Sequence, residues 1–148
     1  MNRQYQHTQI GYLIIVFFAI AVLLLGLLMA IYGFNWIGFA VMIISAICLA
    51  LFLTLTVLVD SDFIEIRFGI GIIRKKFYLK DIETYKVVKN PWFYGWGIHF
   101  TPNGLLYNIS GSLAVEITMK NGKKYRIGTD VPNELEQAIQ QSVGIIAR

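Results

Sequence analysis

Between Gln4 and Val59 the chain has no Lys, Arg, Asp or Glu. Such a stretch excludes an ordinary soluble surface, which carries charge throughout. Cysteine is nearly absent as well. The only one, Cys48, sits inside an apolar run, which excludes an internal disulfide and a multi-cysteine metal centre and leaves a small packed side chain. The two histidines, His7 and His99, are far apart and show no ligand-like spacing. Strong nucleophile–base motifs are missing. Gly69-Ile70-Gly71 lacks a third glycine and opens a hairpin, so it is no dinucleotide fingerprint. Asp81 with Glu83, and Glu134 with Glu136, read as surface carboxylates. These absences point away from an enzyme, and neither cofactor nor metal is expected. Beyond Val59 there are 12 basic and 9 acidic residues, a net charge of +3. That balance suits the neighbourhood of an anionic membrane. It is too small an excess for nucleic-acid binding, for which no recognition module is visible.

What fills the charge-free stretch is two apolar runs. Residues 10–33, as a helix, span about 36 Å, more than the roughly 30 Å hydrocarbon core. The run is longer than the apolar segment of a signal peptide, lacks a clear cleavage site, and is followed at once by another. The second run is read as a helix over residues 36–53. Gly33-Phe34-Asn35 supplies a helix stop and a tight reversal, and Tyr32 and Trp36 flank it as interfacial aromatics. One helix over both runs would be about 75 Å long, so a two-helix transmembrane hairpin is expected. Its turn carries no Lys or Arg, whereas Arg3 precedes it and Arg67, Arg74, Lys75 and Lys76 follow. The positive-inside rule then places residues 1–9, as a tail, and the soluble part 54–148 in the cytoplasm of a multi-pass cell (inner) membrane protein. There the sequon Asn108-Ile109-Ser110 is idle.

The soluble part is dense in strand and turn signals. Thr54–Val59 is β-branched, Asp60-Ser61-Asp62 is a turn, and residues 63–68 read as a strand. Pro102-Asn103-Gly104 and Asn121-Gly122 mark hairpins between alternating segments. The chain closes on a helix that Asp130 can cap and Pro132 can start. Its apolar face is Leu135, Ala138, Ile139, Ser142, Val143 and Ile146. About seven short strands and one amphipathic helix predict an α+β protein with a small barrel or sandwich plugged by that helix.

Read in order, Phe68-Gly69-Ile70-Gly71, Leu79-Lys80-Asp81-Ile82, residues 90–98 (NPWFYGWGI), residues 104–111 (GLLYNISG) and Ile127-Gly128-Thr129-Asp130 resemble bacterial membrane proteins with a pleckstrin-homology-like (PH-like) domain. The resemblance covers roughly residues 54–146. It implies a seven-strand bent barrel capped by a C-terminal helix. Phosphoinositide-binding relatives carry basic residues in the first strand-to-strand loop; here that loop is the acidic Asp60-Ser61-Asp62, which repels phosphate, so that activity is not carried over.

Three groups of residues are candidate contacts. Trp92, Phe93, Tyr94 and Trp96 place four aromatics within five residues, fit for a partner groove or the membrane interface. Arg74, Lys75 and Lys76 form a basic run suited to anionic lipid headgroups; Lys120, Lys123, Lys124 and Arg126 form a second basic group. Gly26 with Ala30 and Ala46 with Ala50 have the small-residue spacing that lets helices approach, within the hairpin or between copies. The expected function is a membrane-anchored binding or scaffold module that presents the PH-like domain to a protein partner or lipid headgroups. The alternative is an accessory subunit of a larger membrane complex assembled through the helices. The expected partners are the bilayer, a membrane or cytoplasmic protein, and a second copy of the chain.

Overall fold

Two helices occupy the charge-free stretch: α1 (Tyr12–Tyr32) and α2 (Trp36–Phe52). The computed structural model describes residues 4–146; Arg3 lies outside them. α1 has 21 residues, about 32 Å of helix, and is long and apolar enough to cross a membrane. α2 is also apolar but shorter, with 17 residues, about 26 Å. No residue of α1 is buried, and large apolar side chains such as Phe17, Leu23, Ile44 and Ile47 are exposed. Between the helices Gly33 takes a positive φ of 91°. The Asn35 carboxamide oxygen accepts from the Ile37 and Gly38 N–H groups at 2.8 and 3.0 Å, satisfying two orphan donors of α2.

The side of α2 turned inward follows Gly38, Met42, Ser45 and Leu49, steps of four, three and four. At Gly38 an added Cβ would lie 3.5 Å from Met29 Sδ, and the buried Ser45 hydroxyl donates to the Val41 carbonyl. The small residues singled out above serve differently. A Cβ on Gly26 would meet nothing within 4 Å, and Ala30 and Ala46 are exposed, with Ala50 half-buried. Gly26, Ala30 and Ala46 therefore stand outside the hairpin contact, because the inward face runs through different residues.

Among the described residues, nine strands make two sheets. The first, β1 (Tyr5–Ile10), lies before the helices, where residues 1–9 are expected to be a tail. It pairs antiparallel with β2 (Thr54–Val59), followed by β3 (Phe63–Phe68) and β4 (Ile73–Tyr78), in the order β1-β2-β3-β4. The second sheet holds β5 (Ile82–Lys89), β6 (Gly97–Thr101), β7 (Gly104–Asn108), β8 (Leu113–Met119) and β9 (Lys124–Gly128), in the order β5-β8-β9-β7-β6. The β7–β9 pair is parallel. Inward residues of both sheets form one core, with Leu55, Val57, Ile64, Ile66 and Phe77 facing Tyr107, Val115, Ile117 and Ile127. Helix α3 (Pro132–Ile146) closes the flank beside β5, burying Leu135, Ala138, Ile139 and Ser142. The Ile146 side chain lies outside the described set. Asp130 pairs with His7 at 2.6 Å, and the Thr129 hydroxyl accepts from the Val131 N–H at the start of the helix.

β1 has a polar inner row. His7 meets Asp130 and Gln9 Nε2 donates to the Ser110 carbonyl at 3.2 Å, while Gln4, just before the strand, meets the Ser142 hydroxyl with its side chain. Burial, with Glu134 and Asp130 nearby, pushes the Tyr5 hydroxyl up to about 12. The first strand thus ties one sheet to the ends of the other and to α3.

Helices and sheets join without a linker. Ile10 stands opposite Thr54 in the ladder, only Gly11 separates β1 from α1, and only Leu53 separates α2 from β2. The Gly11 N–H donates to the Leu53 carbonyl at 2.9 Å, and the Ile70 N–H in the β3–β4 turn donates to the Ala50 carbonyl at 3.3 Å. Phe52 packs edge-on against Phe68. At Gly69, φ is 48° and a Cβ would fall 2.0 Å from the Ala50 carbonyl oxygen. Gly69→Ala therefore combines backbone strain of about 1–3 kcal/mol with a backbone collision. Gly71→Ala shares the positive φ but would meet only the Arg74 side chain. In detergent, the unfolding midpoint of the full chain should fall further for Gly69→Ala than for Gly71→Ala; equal losses would contradict the contact between turn and helix.

Candidate functional site

The aromatic segment is placed by sheet topology. β5 and β6 are opposite edges of the five-stranded sheet, so residues 90–96 must span four strand spacings, about 19 Å. The eight Cα steps from Lys89 to Gly97 reach about 26–29 Å when extended, so the connection is a strap that can cross the sheet with room for a turn. It lies on the outer face of the sheet. The Asn90 Oδ1 accepts from Arg126 Nη1 at 2.8 Å, and Arg126 alternates with the core residues Tyr125 and Ile127. Trp92, Phe93 and Tyr94 form one 3-10 turn, with edge-on contacts from Trp92 to Phe93 and from Phe93 to Tyr94. The Tyr94 hydroxyl accepts from Asn103 Nδ2 at 3.2 Å. Trp92 and Phe93 are left 88 % and 67 % exposed, so these rings do not fill the core.

Under the strap is a buried ion pair. Arg126 holds Glu116 through Nε at 2.8 Å and Nη2 at 2.7 Å, with Lys86 Nζ 3.6 Å from the other carboxylate oxygen. Both Arg126 and Glu116 are buried. The second basic group read from the sequence is therefore divided: Arg126 anchors the strap, whereas Lys120, Lys123 and Lys124 are exposed.

The strap ends against the helices. Trp96 and His99 border a hollow of about 340 Å³ whose other wall includes Ile14, Phe18, Cys48 and Phe52. Phe18 lies six residues into α1 from Tyr12, about 9 Å along its axis, so the sheet rises beside the first turns of the helix. On the same end of the domain, the β3–β4 turn that bonds to Ala50 exposes Ile70 and Ile72 at 69 % and 70 %. The sequence reading overlooked these two. The available signal was the apolar pair in Gly69-Ile70-Gly71-Ile72, at a hairpin tip where polar residues are usual.

Arg74, Lys75 and Lys76 are adjacent in sequence but do not form one patch, because successive strand residues face opposite ways. Lys76 lies 3.9 Å from Glu65 and over the Phe63 ring at 4.3 Å. Arg74 shares its outer face, and its Nε donates to the Gly71 carbonyl in the turn beside α2. The Arg67 hydrogen bonds, with the charges of Arg67, Lys76 and Arg74, hold the buried Glu65 carboxyl below the usual range. Ionised Glu65 thus offsets one of the three positive charges of Arg67, Arg74 and Lys76 on that face. Lys75 points the other way, with Ile73 and Phe77.

Among the described residues, no group of three or more His, Cys, Asp or Glu side chains converges to hold a metal ion. No family model matches the chain, and neither a curated protein nor a solved structure is significantly similar to it.

Removing Glu116 leaves Arg126 buried without its counter-charge. Glu116→Ala should cost about 3–5 kcal/mol of stability in chemical unfolding of the full chain, whereas Lys123→Ala, at an exposed turn, should stay within about 0.5 kcal/mol. Similar small losses at both positions would contradict the anchoring role of the ion pair.

Proposed function

We propose that this chain is a membrane-anchored binding module: α1 and α2 cross the bilayer as a hairpin, and a PH-like domain is held against the cytoplasmic leaflet, where its rim engages lipid headgroups. The observation that carries this reading is the β1–β2 ladder around the hairpin. The chain leaves the sheet at Ile10 and returns to it opposite, at Thr54. A sheet that stays on one side requires an even number of crossings between those residues, so α1 and α2 cross together or not at all. The apolar surface of α1, none of whose residues is buried, favours crossing. At 17 residues α2 reaches the lower end of spanning lengths. Removing α1 as a signal sequence would also remove β1 and its contacts with β2, Asp130 and Ser110.

The two sheets packed on one core, with an amphipathic helix closing one flank, support the PH-like reading, with nine strands where the resemblance implies seven. Headgroup contact is supported by the side chains at the helix end of the domain. Trp96 borders the helix flank, and Ile70 and Ile72 extend from the turn bonded to α2. Aromatic rings favour the headgroup level, and Arg74 adds positive charge beside the same turn.

The test uses full-length Trp36→Phe protein, whose remaining tryptophans are Trp92 and Trp96. In vesicles containing phosphatidylcholine brominated near the headgroup end of its chains, their emission should be quenched. Emission unchanged from unbrominated vesicles would show the rim standing clear of the leaflet, and would contradict the reading.

A further inference from the structure

The two sheets are closed differently on their two flanks. Beside β5, α3 fills the gap; beside β6, a hollow of about 150 Å³ remains between the edge strands β4 and β6. Its walls are Ile66, Phe68, Ile73, Ile98 and Tyr107, all apolar or aromatic, with Arg74 and Lys75 bordering it. Apolar cavities of about this size take up small hydrocarbons such as benzene. Lys75 is the unusual member. Its place in β4, between Ile73 and Phe77, turns it toward the seam and not toward the outer face that Lys76 and Arg67 share with Glu65. It is exposed, and among the described residues its ammonium has neither an ion pair nor a hydrogen bond. An apolar slot with an unpaired cation beside it matches a molecule with an apolar tail and an anionic head.

The hollow also lies close to the source of such molecules. Its Phe68 packs against Phe52 in the last turn of α2, and its Ile98 also borders the hollow on the helix flank that contains Ile14 and Phe18. The seam therefore adjoins the surface that the proposed function places in the leaflet, and the inference rests on that reading. We infer that the β4–β6 seam binds a single-chain fatty acid from the adjacent leaflet, with part of its acyl chain between Ile66, Ile73 and Ile98 and its carboxylate on Lys75. A charged residue facing inward on an edge strand also deters edge-to-edge pairing. That role alone needs no apolar hollow and gives no dependence on a carboxylate.

The experiment is photolabelling of the full-length protein in phosphatidylcholine nanodiscs with a diazirine analogue of palmitic acid, the labelled residues being mapped by peptide mass spectrometry. Label should appear on residues 66–75 and at Ile98, and palmitate should compete for it while hexadecanol, which lacks the carboxylate, should not. Lys75→Met should weaken palmitate competition by about tenfold or more, the scale of one charge-assisted hydrogen bond. Lys76→Met should leave it unchanged, and Ile98→Trp, which fills the slot, should abolish seam labelling. Lys75 is exposed, so its replacement tests the idea even if Ile98→Trp fails to fold. Labelling confined to α1 and α2, or insensitive to Lys75→Met, would overturn the inference. So would competition by phosphatidylglycerol but not by palmitate, which would assign the slot to a bilayer phospholipid. Quenched Trp92 and Trp96 emission with no seam labelling would sink this inference alone; unquenched emission would remove the membrane reading beneath it.

Discussion

A six-residue antiparallel ladder, Tyr5–Ile10 against Thr54–Val59, clasps the two ends of the apolar helices. One residue on each side of the helices separates them from this ladder, so hairpin and sheet cannot swing freely against each other. A backbone pairing of this kind fixes register as well as proximity, since a slip of one residue would turn His7 and Gln9 away from Asp130 and Ser110. Gly69, in the β3–β4 turn, adds a second point of contact where backbone meets backbone. The β3–β4 turn and the aromatic strap consequently lie at a fixed height relative to the helices.

That height gives the charge distribution its meaning. Glu65 and Glu116 are both buried carboxylates, each held by an arginine. The first draws Arg67 and Lys76 onto one sheet face, and the second draws Arg126 beneath the strap. Much of the modest basic excess is thus engaged in structure. Arg74, beside the turn at the helix end, and Lys75, at the seam, make no ion pair with a carboxylate among the described residues. The exposed side chains of Trp96, Ile70 and Ile72 lie near the same end. Apolar surface and positive charge thus meet at one end of the domain, the combination that the proposed contact with an anionic leaflet calls for.

Several parts of this architecture were legible in the residues. Uninterrupted apolar composition marks α1, and Gly33 with Asn35 marks its reversal into α2 through a positive φ and a side-chain cap. The alternation around Asn121-Gly122 marks β8 and β9, and the helical spacing of Leu135, Ala138 and Ile139 marks α3. β1 was not legible, because Tyr5-Gln6-His7-Thr8-Gln9-Ile10 buries polar side chains on partners more than a hundred residues away, leaving no apolar alternation to read. The split of Arg74, Lys75 and Lys76 needed the strand's pleat and the position of Glu65. The strap needed the strand order: nothing local in residues 90–96 says that β5 and β6 lie on opposite edges.

The central proposal is that α1 and α2, tied by the ladder so that they cross together or not at all, both cross the bilayer. It is tested by thiol accessibility in intact cells, using Cys48→Ala protein carrying a single new cysteine. With a membrane-impermeant maleimide, Phe34→Cys in the helix turn should label from outside the cell, and Lys120→Cys in the β8–β9 hairpin should label only after lysis. Labelling of both positions from the same side would show that the hairpin does not cross, and would contradict the account.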